Sequence, residues 1–124
     1  MSEIGGFVVW LADDDAVRDS LQILLEIEGF TVRAFASGPT VLGAAEDDAA
    51  DCLVLDVHMP EMNGFDVVRA LRDMDVHFPT IFLTGLTDER LESRARPAGV
   101  HCVLAKPVAA EALVTEIHGA IVRA

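Results

Sequence analysis

Cys52-Leu53-Val54-Leu55-Asp56-Val57-His58-Met59-Pro60 is the stretch that decides the fold. Four apolar residues in succession, with no polar alternation, predict a strand covered on both faces, as parallel sheets require. An acid follows at once, and a proline ends the run. Asp56 is therefore expected at the carboxyl end of that strand. Three other runs have the same form: Phe7-Val8-Val9-Trp10-Leu11, Thr80-Ile81-Phe82-Leu83 and His101-Cys102-Val103-Leu104. A fifth, Thr31-Val32-Arg33-Ala34-Phe35, carries polar residues and predicts an edge strand.

Helical patterns fall between the runs. Val17, Leu21, Leu24 and Leu25 lie on one face, and Gly29 is a natural stop. Val41, Leu42 and Ala45 follow Ser37. Val67, Val68, Leu71 and Met74 follow Asn63-Gly64. Residues 88–98 form a weaker fourth pattern, and Ala110, Leu113, Ile117 and Ile121 form a fifth. Strand and helix alternate five times, which predicts an α/β fold: a parallel sheet with right-handed crossovers and helices on both faces.

At 124 residues, 52% of them apolar, the chain suits one domain with a real core. Residues 1–124 are expected to form that single domain, with no output domain present. A net charge of −12 and a pI near 4.4 argue against a nucleic-acid surface. The acidity is uneven: residues 1–62 hold thirteen acids against Arg18 and Arg33. No apolar stretch has the length of a membrane span, and residues 1–6 lack the form of a signal peptide. Cys52 and Cys102 have no metal-ligand spacing and predict small buried core residues. A cytoplasmic protein fits these features.

Ligands of such sheets bind beyond the carboxyl ends of the strands. The segments that follow the strands are Ala12-Asp13-Asp14-Asp15, Asp56-Val57-His58, Thr84-Gly85 and Ala105-Lys106-Pro107. Acids, a hydroxyl and a lysine are thus expected in one crevice. Clustered carboxylates repel one another, and a hard cation such as Mg²⁺ relieves this. Asp14 or Asp15 also suits the cap of the first helix. Lys106 is the sole lysine of the chain, a compact charge suited to a phosphoryl oxygen. A carboxylate in this setting can act as a nucleophile and form an aspartyl phosphate.

These motifs, in this order and spacing, resemble the response-regulator receiver domain of two-component signalling. Residues 53–64 are similar to the family's phosphoacceptor signature, and Leu83-Thr84-Gly85 and Ala105-Lys106-Pro107 to its switch threonine and lysine–proline pair. Val17-Arg18-Asp19-Ser20-Leu21 and the threonine–glycine pair lean toward the FixJ-type branch, whose receivers usually precede a LuxR-type helix-turn-helix domain. The resemblance covers about residues 7–122. It implies a CheY-like, flavodoxin-like sheet of strand order 2-1-3-4-5. Asp56 would take a phosphoryl group from a sensor histidine kinase. Asp13, Asp56 and the His58 carbonyl would hold Mg²⁺, with Asp14 a further candidate. Lys106 would pair with the phosphoryl group, and Thr84 would swing toward it. A cis bond before Pro107 is implied as well. So is control of an output domain or partner protein, most simply transcriptional, with homodimerisation through the fourth helix, fifth strand and fifth helix linked to phosphorylation. The chain would catalyse only its own phosphorylation and dephosphorylation.

Three positions depart from the family pattern. The family has two adjacent acids after the first strand. Without gaps, the second falls on Asp13 and the first on Ala12. A one-residue deletion before Ala16 would instead make Asp13 and Asp14 the pair. Losing an acid at Ala12 should weaken Mg²⁺ binding by about 1–2 kcal/mol. Val103 stands where many receivers carry an inward-turning aromatic. Pro97 should kink or end the fourth helix, and Arg90 and Arg94 lie one turn apart on that helix. These departures motivate a rival reading, a degenerate receiver acting as a phosphorylation-independent interaction module. Two enzyme or carrier readings fare worse. Aspartyl-phosphate phosphatases need a second acid where His58 stands, and a flavin carrier would set its phosphate against Asp13–Asp14–Asp15.

Overall fold

The computed structural model describes residues 6–86 and 89–123. In chain order its elements are β1 (Val8–Ala12), α1 (Asp15–Ile27), β2 (Thr31–Phe35), α2 (Gly38–Ala45), β3 (Cys52–Asp56), α3 (Gly64–Asp73), β4 (Thr80–Thr84), α4 (Glu89–Ala95), β5 (Val100–Ala105) and α5 (Ala110–Arg123). All strand pairings are parallel, in the order β2-β1-β3-β4-β5. The α/β reading and the implied strand order therefore hold, with β2 on an edge.

Continuous apolarity in the strands has the expected cause. Trp10, Leu53, Leu55 and Phe82 point to one side of the sheet, where Val41 and Ala45 of α2, Val67 and Leu71 of α3, and Leu91 and Ala95 of α4 cover them. Val9, Leu11, Val54, Ile81 and Leu83 point to the other, under Leu21 and Leu25 of α1 and Leu113 and Ile117 of α5. Each large apolar side chain so buried contributes about 1.5–3 kcal/mol. Trp10, the only tryptophan, is 1% exposed and lies between the rings of Phe35 and Phe78 at centroid distances of 5.1 and 5.2 Å.

Local signals set the helix ends. Gly29 sits at φ +103°, a region that favours glycine. Its N–H donates to the Glu26 carbonyl and that of Phe30 to the Leu25 carbonyl, a Schellman closure of α1. Asn63 opens α3 with a capping box: its side chain accepts from Asp66 N–H, and the Asp66 carboxylate accepts from Asn63 N–H. α4 ends at Ala95, two residues before Pro97, as a residue that excludes helix from its predecessor requires. The expected start of that helix at Asp88 lies outside the described residues.

The strands differ from the sequence reading by one residue at several ends. β1 begins at Val8 and includes Ala12, and β5 begins at Val100 and runs to Ala105. β5 also holds a bulge. Thr80 pairs with Val100 but Ile81 pairs with Cys102, leaving His101 as an extra residue. Cys52 is buried, as expected of a core residue, whereas Cys102 is only partly buried, a correction to its reading as core.

Candidate functional site

β1 lies between β2 and β3; the chain leaves β1 for β2 on one side and leaves β3 for β4 on the other, so a crevice opens at these strands' carboxyl ends. Ala12 ends β1 and pairs with Leu55, one residue before Asp56. Asp13 and Asp56 therefore emerge side by side from adjacent strands. Both are buried, at 1% and 7% exposure. β5 ends at Ala105, and the Lys106 N–H donates to the Thr84 carbonyl at 2.8 Å. That bond sets the lysine over the same crevice. The Lys106–Pro107 peptide is cis.

The three side chains meet. Lys106 Nζ donates to Asp13 Oδ1 at 2.7 Å and to Asp56 Oδ2 at 3.1 Å. The other Asp56 oxygen accepts from the His58 N–H at 3.0 Å. Asp13 Oδ1 also accepts from the Asp14 N–H at 2.7 Å. Burial acts against the charge on Asp13. The Lys106 and Asp14 hydrogen bonds oppose that, the neighbouring Asp56 adds to it, and the carboxyl ends at about 6. For Lys106, burial disfavours the ammonium, but the hydrogen bonds to Asp13 and Asp56 outweigh it and hold the group above its ordinary value.

Asp14 divides its role. Its Oδ1 caps α1 by accepting from Val17 N–H at 3.2 Å, and its Oδ2 stands 3.8 Å from Lys106 Nζ. Capping by Asp14 is what the sequence allowed; the Asp15 side chain lies outside the described residues. His58 itself is exposed and reaches the site through its backbone.

Thr84 is fully buried at the end of β4, yet its hydroxyl is not bonded to the acids. It donates to the Leu86 carbonyl and accepts from the Leu86 N–H, each at 3.1 Å. This closes a local turn of the kind serine and threonine favour. Val103, where an aromatic was absent from the sequence, is partly buried against the core.

Carboxylate oxygens of Asp13, Asp14 and Asp56 all lie within 4.8 Å of one another. Among the described residues, Asp13 Oδ2 is buried without a hydrogen-bond partner. A buried oxygen left unpaired is costly, and a hard cation is the ligand that an all-oxygen set suits. The residues present thus fit Mg²⁺.

Beside the crevice lies a cavity of about 330 Å³ lined by His58, Phe65, Leu86, Arg90 and Arg94. The Arg94 guanidinium sits 4.2 Å from the Phe65 ring centroid, a cation–π contact that sequence spacing did not suggest. Arg90 and Arg94 therefore share a wall of this cavity. Other contacts were also missed. Asp51 Oδ2 accepts from the Val8 N–H at 2.7 Å, and Arg72 reaches the Ala98 carbonyl. Both join residues more than 20 positions apart, which no local pattern reports.

Known proteins are similar to this chain over nearly its full length. Response regulator protein TodT of Pseudomonas putida is 36% identical over 121 residues, covering 98% of this chain and 53% of TodT. Transcriptional regulatory protein FixJ of Bradyrhizobium diazoefficiens is 33% identical over 116 residues, covering 94% of this chain and 57% of FixJ. The chain thus spans about half the length of these curated relatives. The solved structure of FixJ-N superimposes with a TM-score of 0.87 at 30% identity, covering 95% of each chain. A Francisella receiver domain, 23% identical, gives a TM-score of 0.87 over 94% of this chain and 97% of its own, which shows the shared fold. Finally, the family model of the response regulator receiver domain matches residues 8–118. The chain belongs to the response regulator receiver domain family.

Proposed function

We propose that this domain is a phosphorylation-controlled switch whose phosphoacceptor is Asp56. The observation that carries the reading is the position of Asp56: a strand-end carboxylate with one oxygen on the His58 N–H and the other on Lys106 Nζ. A partner histidine kinase supplies the phosphoryl group. An Asp56 oxygen forms the new bond to phosphorus while the bond from phosphorus to the kinase imidazole breaks, and the imidazole departs with that electron pair. Lys106 neutralises charge on the phosphoryl oxygens. Asp13, Asp14, Asp56 and the His58 carbonyl are the groups that would hold Mg²⁺, which supplies further charge neutralisation when bound.

The response then runs through Thr84. Its hydroxyl must give up Leu86 to reach a phosphoryl oxygen, so the turn at Gly85–Leu86 rearranges when the threonine moves. This couples Asp56 to the segment before α4, and so to the face formed by α4, β5 and α5. Output follows through an attached or partner helix-turn-helix domain that controls transcription. TodT and FixJ, by their length, carry more chain than the receiver-like half. No separate substrate is turned over. The domain acts in the cytoplasm, and among the described residues no helix is long and apolar enough to cross a membrane.

The test is chemical. The chain is incubated with phosphoramidate and Mg²⁺, and the adduct is treated with hydroxylamine. An acyl phosphate on Asp56 is cleaved by hydroxylamine; an adduct that resists it lies on another residue type. An interaction module indifferent to phosphorylation would give no adduct.

A further inference from the structure

The bulge in β5 changes which side chains share a face. In a regular strand His101 and Cys102 would point to opposite sides. With His101 inserted opposite β4, two residues of β5 stand against one of its neighbour, and both are brought toward α5. There His101 Nε2 lies 3.2 Å from Glu116 Oε1. The Cys102 Sγ joins them: one ligand atom from each of the three residues lies within 4.8 Å of the others. Gly119, one turn beyond Glu116, packs against the imidazole; a Cβ at that position would stand 3.5 Å from His101 Nε2, an ordinary contact. The cluster is also reachable, since the His101 and Glu116 side chains are 17% and 38% exposed.

We propose that His101, Cys102 and Glu116 form a second metal site, one for a borderline-soft dication of the Zn²⁺ type. Imidazole nitrogen, thiolate sulfur and carboxylate oxygen are the three donors that Zn²⁺ takes, and a thiolate excludes the hard ions Mg²⁺ and Ca²⁺ from effective competition. Three protein ligands leave a fourth tetrahedral position for water. On binding, Cys102 releases its Sγ proton to solvent, and neutral His101 gives the Nε2 lone pair. The ion replaces the His101–Glu116 hydrogen bond and ties β5 to α5. The site differs in chemistry from the all-oxygen cluster of Asp13, Asp14 and Asp56, which holds no sulfur.

Cobalt tests the assignment because a sulfur-to-cobalt charge-transfer band requires a thiolate ligand. Co²⁺ is titrated into the full chain in excess Mg²⁺, which saturates the all-oxygen cluster. The expected result is a near-ultraviolet band that saturates at one equivalent and is abolished by added Zn²⁺. It should be lost in Cys102→Ser. His101→Gln and Glu116→Gln, checked for fold by circular dichroism, should weaken Co²⁺ binding by about tenfold or more. Absence of the band in the unmodified chain overturns the proposal. So does its persistence in Cys102→Ser, or unchanged affinity in both glutamine variants.

Discussion

Lys106 Nζ lies 2.7 Å from Asp13 Oδ1, although 93 positions of sequence separate the two residues. The same ammonium reaches Asp56 at 3.1 Å. One cation therefore serves two buried carboxylates, and a third acid, Asp14, stands nearby at 3.8 Å. Formal charge in the crevice is negative, and the unpartnered Asp13 Oδ2 marks where that excess is felt. The only lysine in the chain thus pairs buried acids whether or not it takes the role proposed for it in phosphorylation.

Removing it should show both roles. Lys106→Ala leaves two buried carboxylates without their cation, which is expected to cost about 2–4 kcal/mol in chelator. Added Mg²⁺ should recover more stability in the variant than in the parent, because the ion no longer shares the carboxylates with an ammonium. Denaturant unfolding followed by the buried Trp10 measures this. A variant as stable as its parent in chelator would contradict the pairing.

Asp13 makes stability depend on pH. Its folded value of about 6 lies above the ordinary 3.8, so the folded chain holds this proton more tightly than the unfolded chain. The resulting stabilisation is full below about 3.8 and is lost as the pH rises through about 6, amounting to about 3 kcal/mol. In chelator, the stability difference between parent and Asp13→Asn should therefore shift across that window in favour of the asparagine variant. Mg²⁺, which needs the ionised carboxylate, should bind more weakly below about pH 6. A pH-independent difference would sink the argument.

Ala12 is expected to weaken the proposed Mg²⁺ site. The residue is 0% exposed and belongs to the cluster of Trp10, Phe35 and Leu55. Ala12→Asp is expected to lower the Mg²⁺ midpoint for phosphorylation while costing about 1–3 kcal/mol of stability through burial of a polar group. An unmoved or raised midpoint would show that position 12 is not where the family's first acid belongs.

Gly38 lets α2 pack closely against Met62 and α3. A Cβ there would lie 2.8 Å from Val67 Cγ2 and 2.9 Å from Met62 Cβ. Gly38→Ala should cost about 1–3 kcal/mol by overpacking. Thermal unfolding of the variant decides; an unchanged midpoint would mean that α2 and α3 separate freely.

Much of this molecule was legible because its signals are local. Runs such as 52–55 and 80–83 announce doubly covered strands, Asn63 and Gly29 announce helix ends, and strand-end Asp56, Thr84 and Lys106 fall where ligands bind in such sheets. What escaped depends on tertiary geometry. The Thr84 hydroxyl turns to Leu86, a local bond that the spacing of the strand-end residues does not encode. The inserted His101 was invisible because a bulge is set by how β5 meets β4. Reading Cys102 as plain core failed for the same reason, since strict alternation would have kept it from His101 and Glu116.

The most direct measurement is the intact mass of the chain after exposure to a small phosphodonor, taken across a Mg²⁺ titration for the parent and for Asp56→Asn. The account predicts one added phosphoryl group in the parent, rising with Mg²⁺, and none in the folded variant. An equal gain in Asp56→Asn, or no gain in the parent at any Mg²⁺ concentration, would contradict it.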